Sequence, residues 1–413
     1  MRLELDKSDI YKTFKFRYAI NKIAPHKYNY LSPINANSLY VKYTSKSTVY
    51  KMLESDSLYL FCSELSNDHS ENHILPIEDT VDAYITCFYQ NNIQPGIQSI
   101  NSSDVYSQWM SYCREGGAAF EFYFAQDLIS FGNNLGNTED DVYKCMKSKL
   151  DDLDAKNINI FDYSILCNTH KKPLDYIKYS TFPFQVQYFD QDIFIERNGN
   201  EVNLIDSTYL KQLRKLAENC DIELEKLTSY FKHSGFVQEC EARLSFLNYK
   251  GQLNDCIHFL DKPDGGKLPY IIAKFGDLDN ENRPCNFVKL KRGDNLIDTV
   301  KSKLDKIPEY KFNSKFTIII PQGHDQEKVY DAVETVVRDK VIEREKEYGT
   351  KDKGPRIICQ GHLPITKITL APTEDRKEQR KMMEIYCKSK YWLRNVEICE
   401  SQIPYNTQNI NHS

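Results

Sequence analysis

"GFVQECEARLSF", residues 235–246, is the stretch on which the fold turns. Read as a strand, with a repeat of two, it puts Phe236, Gln238, Cys240, Ala242, Leu244 and Phe246 on one face and Val237, Glu239, Glu241, Arg243 and Ser245 on the other. The first face suits a core; the second carries two carboxylates and a guanidinium. Two readings are open. The charged face is the solvated side of a half-buried strand, with Arg243 relieving the repulsion between the glutamates. Alternatively it is a site, where crowding raises the pKa of one carboxylate and leaves a charged group beside one that exchanges a proton near neutral pH.

Around this stretch lies a chain of 413 residues and 48.3 kDa, long enough for a large core, with an ordinary globular balance of 27% charged and 40% hydrophobic residues. The formal charge of -5 excludes a protein that simply coats nucleic acid or an anionic membrane, though not a local basic groove. No run of about 20 apolar residues is present, and "MRLELDKSDIYKTFKF" lacks the apolar core of a signal peptide, so no membrane partner and a cytoplasmic location are expected. The twelve cysteines are scattered without a Cys-x-x-Cys pair, which argues for reduced core residues over a zinc ribbon or disulfide framework. His69 and His73 in "DHSENH" have the spacing of two ligands on one helix face, but their polar context and Pro76 read as a solvated loop.

Residues 1–37 read as an N-terminal extension, and the pattern sharpens after them. Strands are expected at 38–44, 57–63 and 82–90, a short helix at 45–55, and another helix after residue 104 that ends in the turn Gly116-Gly117 before a buried strand. Residues 125–230 read as a largely helical elaboration, and 248–296 as a Gly/Asp/Pro-rich stretch. The last third alternates: strands at 315–323, 356–361, 365–372 and 395–401, helices at 325–349 and 373–390. In the longer of these, Val329, Val333, Val336, Val337 and Val341 share one face. Many strands in mixed order predict an α+β fold.

No Gly-x-Gly-x-x-Gly, Walker loop or Gly-x-Ser-x-Gly occurs, and the Gly116-Gly117 and Gly265-Gly266 pairs read as turns. Chemistry, if present, sits in "LYVKY" (39–43), "FCSELSNDHSE" (61–71), "CFYQ…QWMSYCREGGAAFEF" (87–122), "FKHSGFVQECEARL" (231–244) and "ESQIPY" (400–405). In order and spacing these stretches resemble a large bacterial family of unnamed function with a Tyr-Lys/Arg-Tyr strand, an Asn-Asp-Pro-x-Glu turn, a Cys-Phe-Ser strand, a Trp-x-x-Tyr helix followed by Gly-Gly, a Lys…Glu-x-Glu-x-Arg strand and a terminal Ser-x-Ile-Pro-Tyr. Its members look like ADP-ribosyltransferases and occur among abortive-infection and toxin–antitoxin effectors. The resemblance implies that residues 38–413 form an ADP-ribosyltransferase-like core, a mixed, split β-sheet with flanking helices and insertions.

The same resemblance assigns roles. Transfer from NAD, used as a substrate with no metal expected, breaks a glycosidic bond through an oxocarbenium-like centre that a carboxylate beside the ribose stabilises. Glu241 matches that carboxylate. Glu239 would position or deprotonate the acceptor, Lys42 would meet the pyrophosphate or a ribose hydroxyl, and Arg243 would hold the carboxylates or an acceptor phosphate. Tyr43, Trp109 and Tyr112 would stack on nicotinamide or an acceptor base. Asn67, Asp68 and Glu71 fall on the supporting turn. Two positions depart from the pattern: His69 replaces the proline of that turn, and Tyr89 stands where a small serine usually steadies the ribose.

The expected activity is a toxin-like ADP-ribosyltransferase of bacterial defence acting on a macromolecule, with an antitoxin as a further partner. RNA is favoured as acceptor because "FVKLKRGD" (287–294) and "CKSKYWLRN" (387–395) interleave basic and aromatic residues. Two rival readings are a magnesium-dependent nuclease using Asp68, Glu71, Glu239 and Glu241 and a non-enzymatic sensor or partner-binding protein.

Overall fold

The computed structural model describes residues 39–63, 82–91, 104–113, 116–122, 164–168, 176–180, 184–189, 193–197, 200–204, 207–248, 251–262, 265–278, 284–291, 297–304, 311–314, 317–321, 326–348, 356–360 and 362–404. The expected extension at 1–37, the turn residues Asn67, Asp68 and Glu71, the histidines His69 and His73, and residues 125–163 of the expected elaboration lie outside them.

Chain order begins with strand β1 (Leu39–Ser45), helix α1 (Lys46–Ser55), β2 (Leu58–Cys62) and β3 (Ala83–Asn91), each within two residues of its expected bounds. Helix α2 (Tyr106–Tyr112) precedes β4 (Gly117–Phe122). Then come β5 (Ser164–Asn168), β6 (Tyr176–Ser180), β7 (Phe184–Gln185), β8 (Gln187–Phe189), β9 (Ile193–Arg197), β10 (Asn200–Leu204) and helix α3 (Ser207–Asn219). The described part of the 125–230 elaboration is therefore rich in strands, where a largely helical segment was expected; its Tyr- and Phe-bearing runs are short and β-prone. A 3₁₀ turn (Leu224–Tyr230), β11 (Phe231–His233), a second 3₁₀ turn (Ser234–Glu239) and β12 (Glu241–Leu247) follow. Next are β13 (His258–Asp261), β14 (Lys267–Phe275), β15 (Asp277–Leu278), β16 (Pro284–Lys291) and helix α4 (Ile297–Leu304). The chain continues through β17 (Lys311–Ser314), β18 (Thr317–Pro321), α5 (Gln326–Tyr348), β19 (Arg356–Gln360), β20 (Ile365–Leu370), α6 (Arg376–Ser389) and β21 (Glu397–Glu400).

Twelve strands form one mixed sheet along the path β21-β20-β4-β1-β3-β2-β14-β5-β6, with β12, β7 and β13 joined at its sides. Its last pair, β20 with β21, is parallel, whereas β1 runs antiparallel to β3 and β4. A smaller sheet is built from β15 to β19. The large sheet divides at β3. Strand β1 pairs with its end at Tyr89–Asn91, β2 with its beginning at Tyr84 and Ile85, and β12 with its opposite edge from Ala83 to Tyr89. Between the two partial partners, at Thr86–Phe88, no strand among the described residues pairs with that edge of β3.

Alternation along β1 sends neighbours to opposite faces. Tyr40 enters the main core with Val49, Met52 and Leu53 of α1 and Met383 and Cys387 of α6, whereas Val41 and Tyr43 enter a smaller cluster with Trp109 of α2 and Ala371. Helices thus cover both faces. On α5, Val329, Val333, Val336 and Val337 are buried as their spacing predicts.

Gly117 marks the closest backbone approach. It sits at φ 142°, and a Cβ there would lie 2.1 Å from the Thr44 carbonyl oxygen across the β1–β4 pair. Gly117→Ala is expected to cost about 2 kcal/mol or more in urea unfolding, because the opposing atom is backbone and cannot rotate away. A variant as stable as the parent would refute this packing.

The deciding stretch itself differs from its expected form. The strand starts only at Glu241; residues 234–239 coil in a 3₁₀ turn, and Cys240 joins the two at φ 44°. Both faces of β12 are buried: Glu241 is 4% exposed and Arg243 0%. The reading of a charged face turned to water is overturned, because β12 lies between β3 and β7 with Tyr188, Lys232 and Ser229 against its polar side.

Candidate active site

Glu241 is held at every polar atom. Arg243 donates through Nε to Oε1 at 2.6 Å and through Nη2 to Oε2 at 3.1 Å, and Lys232 Nζ donates to Oε2 at 3.1 Å. Its backbone N–H donates to the Tyr188 hydroxyl at 2.9 Å, and its carbonyl accepts from Val186 N–H at 2.9 Å. Burial pushes this carboxyl up, but the Arg243 and Lys232 charges beside it, with hydrogen bonds from Arg243 and the Cys87 thiol, outweigh burial and bring it down from 4.5 to about 2. The crowding expected to raise a pKa is therefore answered, at Glu241, by two buried cations.

Because Glu241 titrates lower in the folded than in the unfolded chain, its ionised form stabilises the fold above about 4.5, and that contribution disappears as pH falls toward about 2. Acid melting curves should show it: the gap in melting temperature between the parent and Glu241→Gln narrows through this window. A gap independent of pH there would contradict the arrangement.

Lys232 was quoted in the sequence motif without a role, and its position explains how Glu239 joins the site. Strand β11 pairs in parallel with β8, which sets Lys232 beside Tyr188. The side chain is 6% exposed and passes over the Phe236 ring at 4.7 Å; its ammonium donates to Glu239 Oε2 at 2.7 Å as well as to Glu241. One lysine thus bridges the two glutamates. Glu239 is the outer one, its side chain 31% exposed against 5% for Glu241.

Lys42 comes from the other strand of the split. Its ammonium reaches the stretch of β3 between the β1 and β2 pairings, where it donates to Thr86 Oγ1 at 2.7 Å and, weakly, to the Cys87 carbonyl at 3.4 Å, and lies 5.7 Å from the Phe88 ring centroid. These partners carry no charge. Burial lowers the lysine's pKa, and Cys87 and Glu241 partly restore it. Thr86, which sequence reasoning passed over, thus supplies a small hydroxyl on the strand where Tyr89 replaces the expected serine.

These groups meet in one open cleft. Lys42, Tyr43, Cys87 and Tyr89 line it together with Gln108 and Tyr112 of α2 and with Glu239 and Glu241. Burial raises the Tyr89 phenol to about 12 and holds those of Tyr43 and Tyr112 higher still, the latter with help from Glu239, Cys87 and Glu241. At neutral pH the tyrosines are hydrogen-bond donors.

Two expected ligand contacts are not available. Trp109 is 2% exposed, packs edge-on against Tyr43 at 4.9 Å and donates from Nε1 to Asp104 at 2.8 Å, so it anchors α2 instead of stacking on a ligand. Arg243 is fully buried, with Nη1 committed to the Ser229 carbonyl at 2.7 Å; it holds a carboxylate and cannot meet an acceptor phosphate. Asp104, another residue missed in the sequence, also accepts from Ser401 Oγ at 2.5 Å and from Gln402 N–H at 2.6 Å. The "ESQIPY" motif is thus a latch on the helix that forms one wall of the cleft.

The stretch at 387–395 is likewise engaged internally. Arg394 pairs with Glu327 and Asp331 of α5, and the Trp392 ring stacks on His362 at 5.1 Å. Among the described residues no group of three potential metal ligands is found and no helix is long and apolar enough to cross a membrane. No family model, curated protein or solved structure matches the chain.

Proposed function

We propose that the protein is an NAD-dependent ADP-ribosyltransferase, a toxin-like effector of bacterial anti-phage or toxin–antitoxin defence that modifies a macromolecule, with RNA as the favoured acceptor. The observation that supports this most is Glu241, a carboxylate held ionised on the wall of a cleft by two cations behind it. Such a fixed negative charge stabilises positive charge developing at a sugar carbon without having to reorganise. NAD would supply that carbon and a nicotinamide leaving group. Lys42 contributes a cation for a phosphate or ribose hydroxyl, and the more exposed Glu239 faces the side from which an acceptor enters.

Adenylate-labelled NAD incubated with the purified protein and total RNA, DNA or lysate protein tests the reading. Label appearing in one fraction establishes transfer and identifies the acceptor class. Absence of label, with RNA or DNA shortened only when magnesium is added, overturns the proposal in favour of a nuclease; no effect in either assay points to the sensor reading.

A further inference from the structure

Gln108 belongs to no part of the machinery assigned so far. The residue is 5% exposed and lines the cleft, yet among the described residues its side-chain amide has no hydrogen-bond partner. Its amide oxygen and nitrogen are not among the fully enclosed unpaired side-chain atoms of the described residues, so they open on the cleft, where a ligand edge can pair with both. One helical turn on, Tyr112 shares its face of α2 and lines the same cleft, but is 47% exposed. An exposed aromatic ring and, one turn deeper, an amide without a partner among the described residues therefore share the cleft with the outer carboxylate Glu239.

We infer that α2 reads an unpaired nucleobase of a single-stranded acceptor: Tyr112 stacks on the base, and Gln108 pairs with a donor–acceptor edge of the ring. A Gln amide matches the adjacent amino donor and ring-nitrogen acceptor of adenine in a bidentate pair, and aromatic stacking tolerates any base. The acceptor is assigned to this wall because Tyr112 is the most exposed residue lining the cleft and the Glu239 side chain is 31% exposed, whereas that of Glu241, where the sugar carbon would sit, is 5% exposed. This inference deepens the transferase reading and rests on it for the identity of the opposing ligand, but not for the base contact itself.

The test is the fluorescence anisotropy of a labelled single-stranded oligoadenylate and of the same oligomer built with purine riboside, which lacks the amino donor. The parent protein should bind oligoadenylate about tenfold more tightly than the purine oligomer, and Gln108→Met should abolish that difference while keeping the parent's melting temperature. Tyr112→Ala should weaken both oligomers by about tenfold. Glu241→Gln should keep the preference. Equal affinity for the two oligomers, a preference that survives Gln108→Met, or binding of free nicotinamide that depends on Gln108 in place of the oligomer, overturns the inference. A Gln108-dependent preference in a protein that never consumes NAD leaves it standing and sinks the transferase reading instead.

Discussion

Glu241→Gln is expected to lower transfer of label from NAD by a factor of about 100 to 1000. The amide keeps the shape of the side chain and an oxygen able to accept from Arg243 Nε, but the charge is gone and an N–H₂ group turns toward Arg243 or Lys232. The loss should fall on the chemical step, since the tyrosines and Lys42 that line the rest of the cleft are untouched. Glu239→Gln serves as comparison: an acceptor-side residue should depress transfer more than hydrolysis of NAD. If Glu241→Gln, folded by circular dichroism at the assay temperature, retains a tenth of the parent rate or more, Glu241 is not the charge that drives the reaction.

Arg243→Leu should produce the largest loss of stability, about 3–5 kcal/mol in urea unfolding, because it leaves a buried carboxylate short of its closest partner. It also strips the Ser229 carbonyl of a donor. The double variant Arg243→Leu/Glu241→Leu removes both charges and should cost less than the two single losses added together. Lys232 then still has Glu239 at 2.7 Å, on the more exposed side of the site. Strict additivity would mean that the guanidinium and the carboxylate do not depend on each other, against the 2.6 Å contact.

Local pattern made much of this legible. Strands β1, β3 and β20, the apolar face of α5, and the separation of α1 from the sheet all follow from periodicity, since each buries one face against a large core. Strand β14 escaped because it lies in a stretch rich in glycine and proline. Pro269 falls where β14 is flanked by β13 and not yet by β2, so its missing N–H is tolerated there. At the site, Lys42, Tyr43, Tyr89, Tyr112, Glu239 and Glu241 were given their roles by the family resemblance and not by local pattern; they line one cleft, reached by a route the sequence does not display. Nothing local announces that Cys240 turns through a positive φ, or that Lys232, positioned by the β8–β11 pair, bridges both glutamates. The ligand role expected of Trp109, and the phosphate alternative for Arg243, fail because residue type does not reveal burial, whereas the other expectation for Arg243, that it holds the carboxylates, matches its bonds to Glu241; the partners Asp104 and Ser229 are set by tertiary packing.

The latch between Ser401 and Asp104 joins positions 297 residues apart. A contact of such long range forms only after the intervening chain has folded, so the Gln108–Tyr112 wall acquires its support among the last steps of folding. For the same reason it can be lost first. Release of residues 401–402 from Asp104 costs far less than unfolding the twelve-stranded sheet, and it would loosen one wall of the cleft while the carboxylates, held by Arg243 and Lys232, stay fixed.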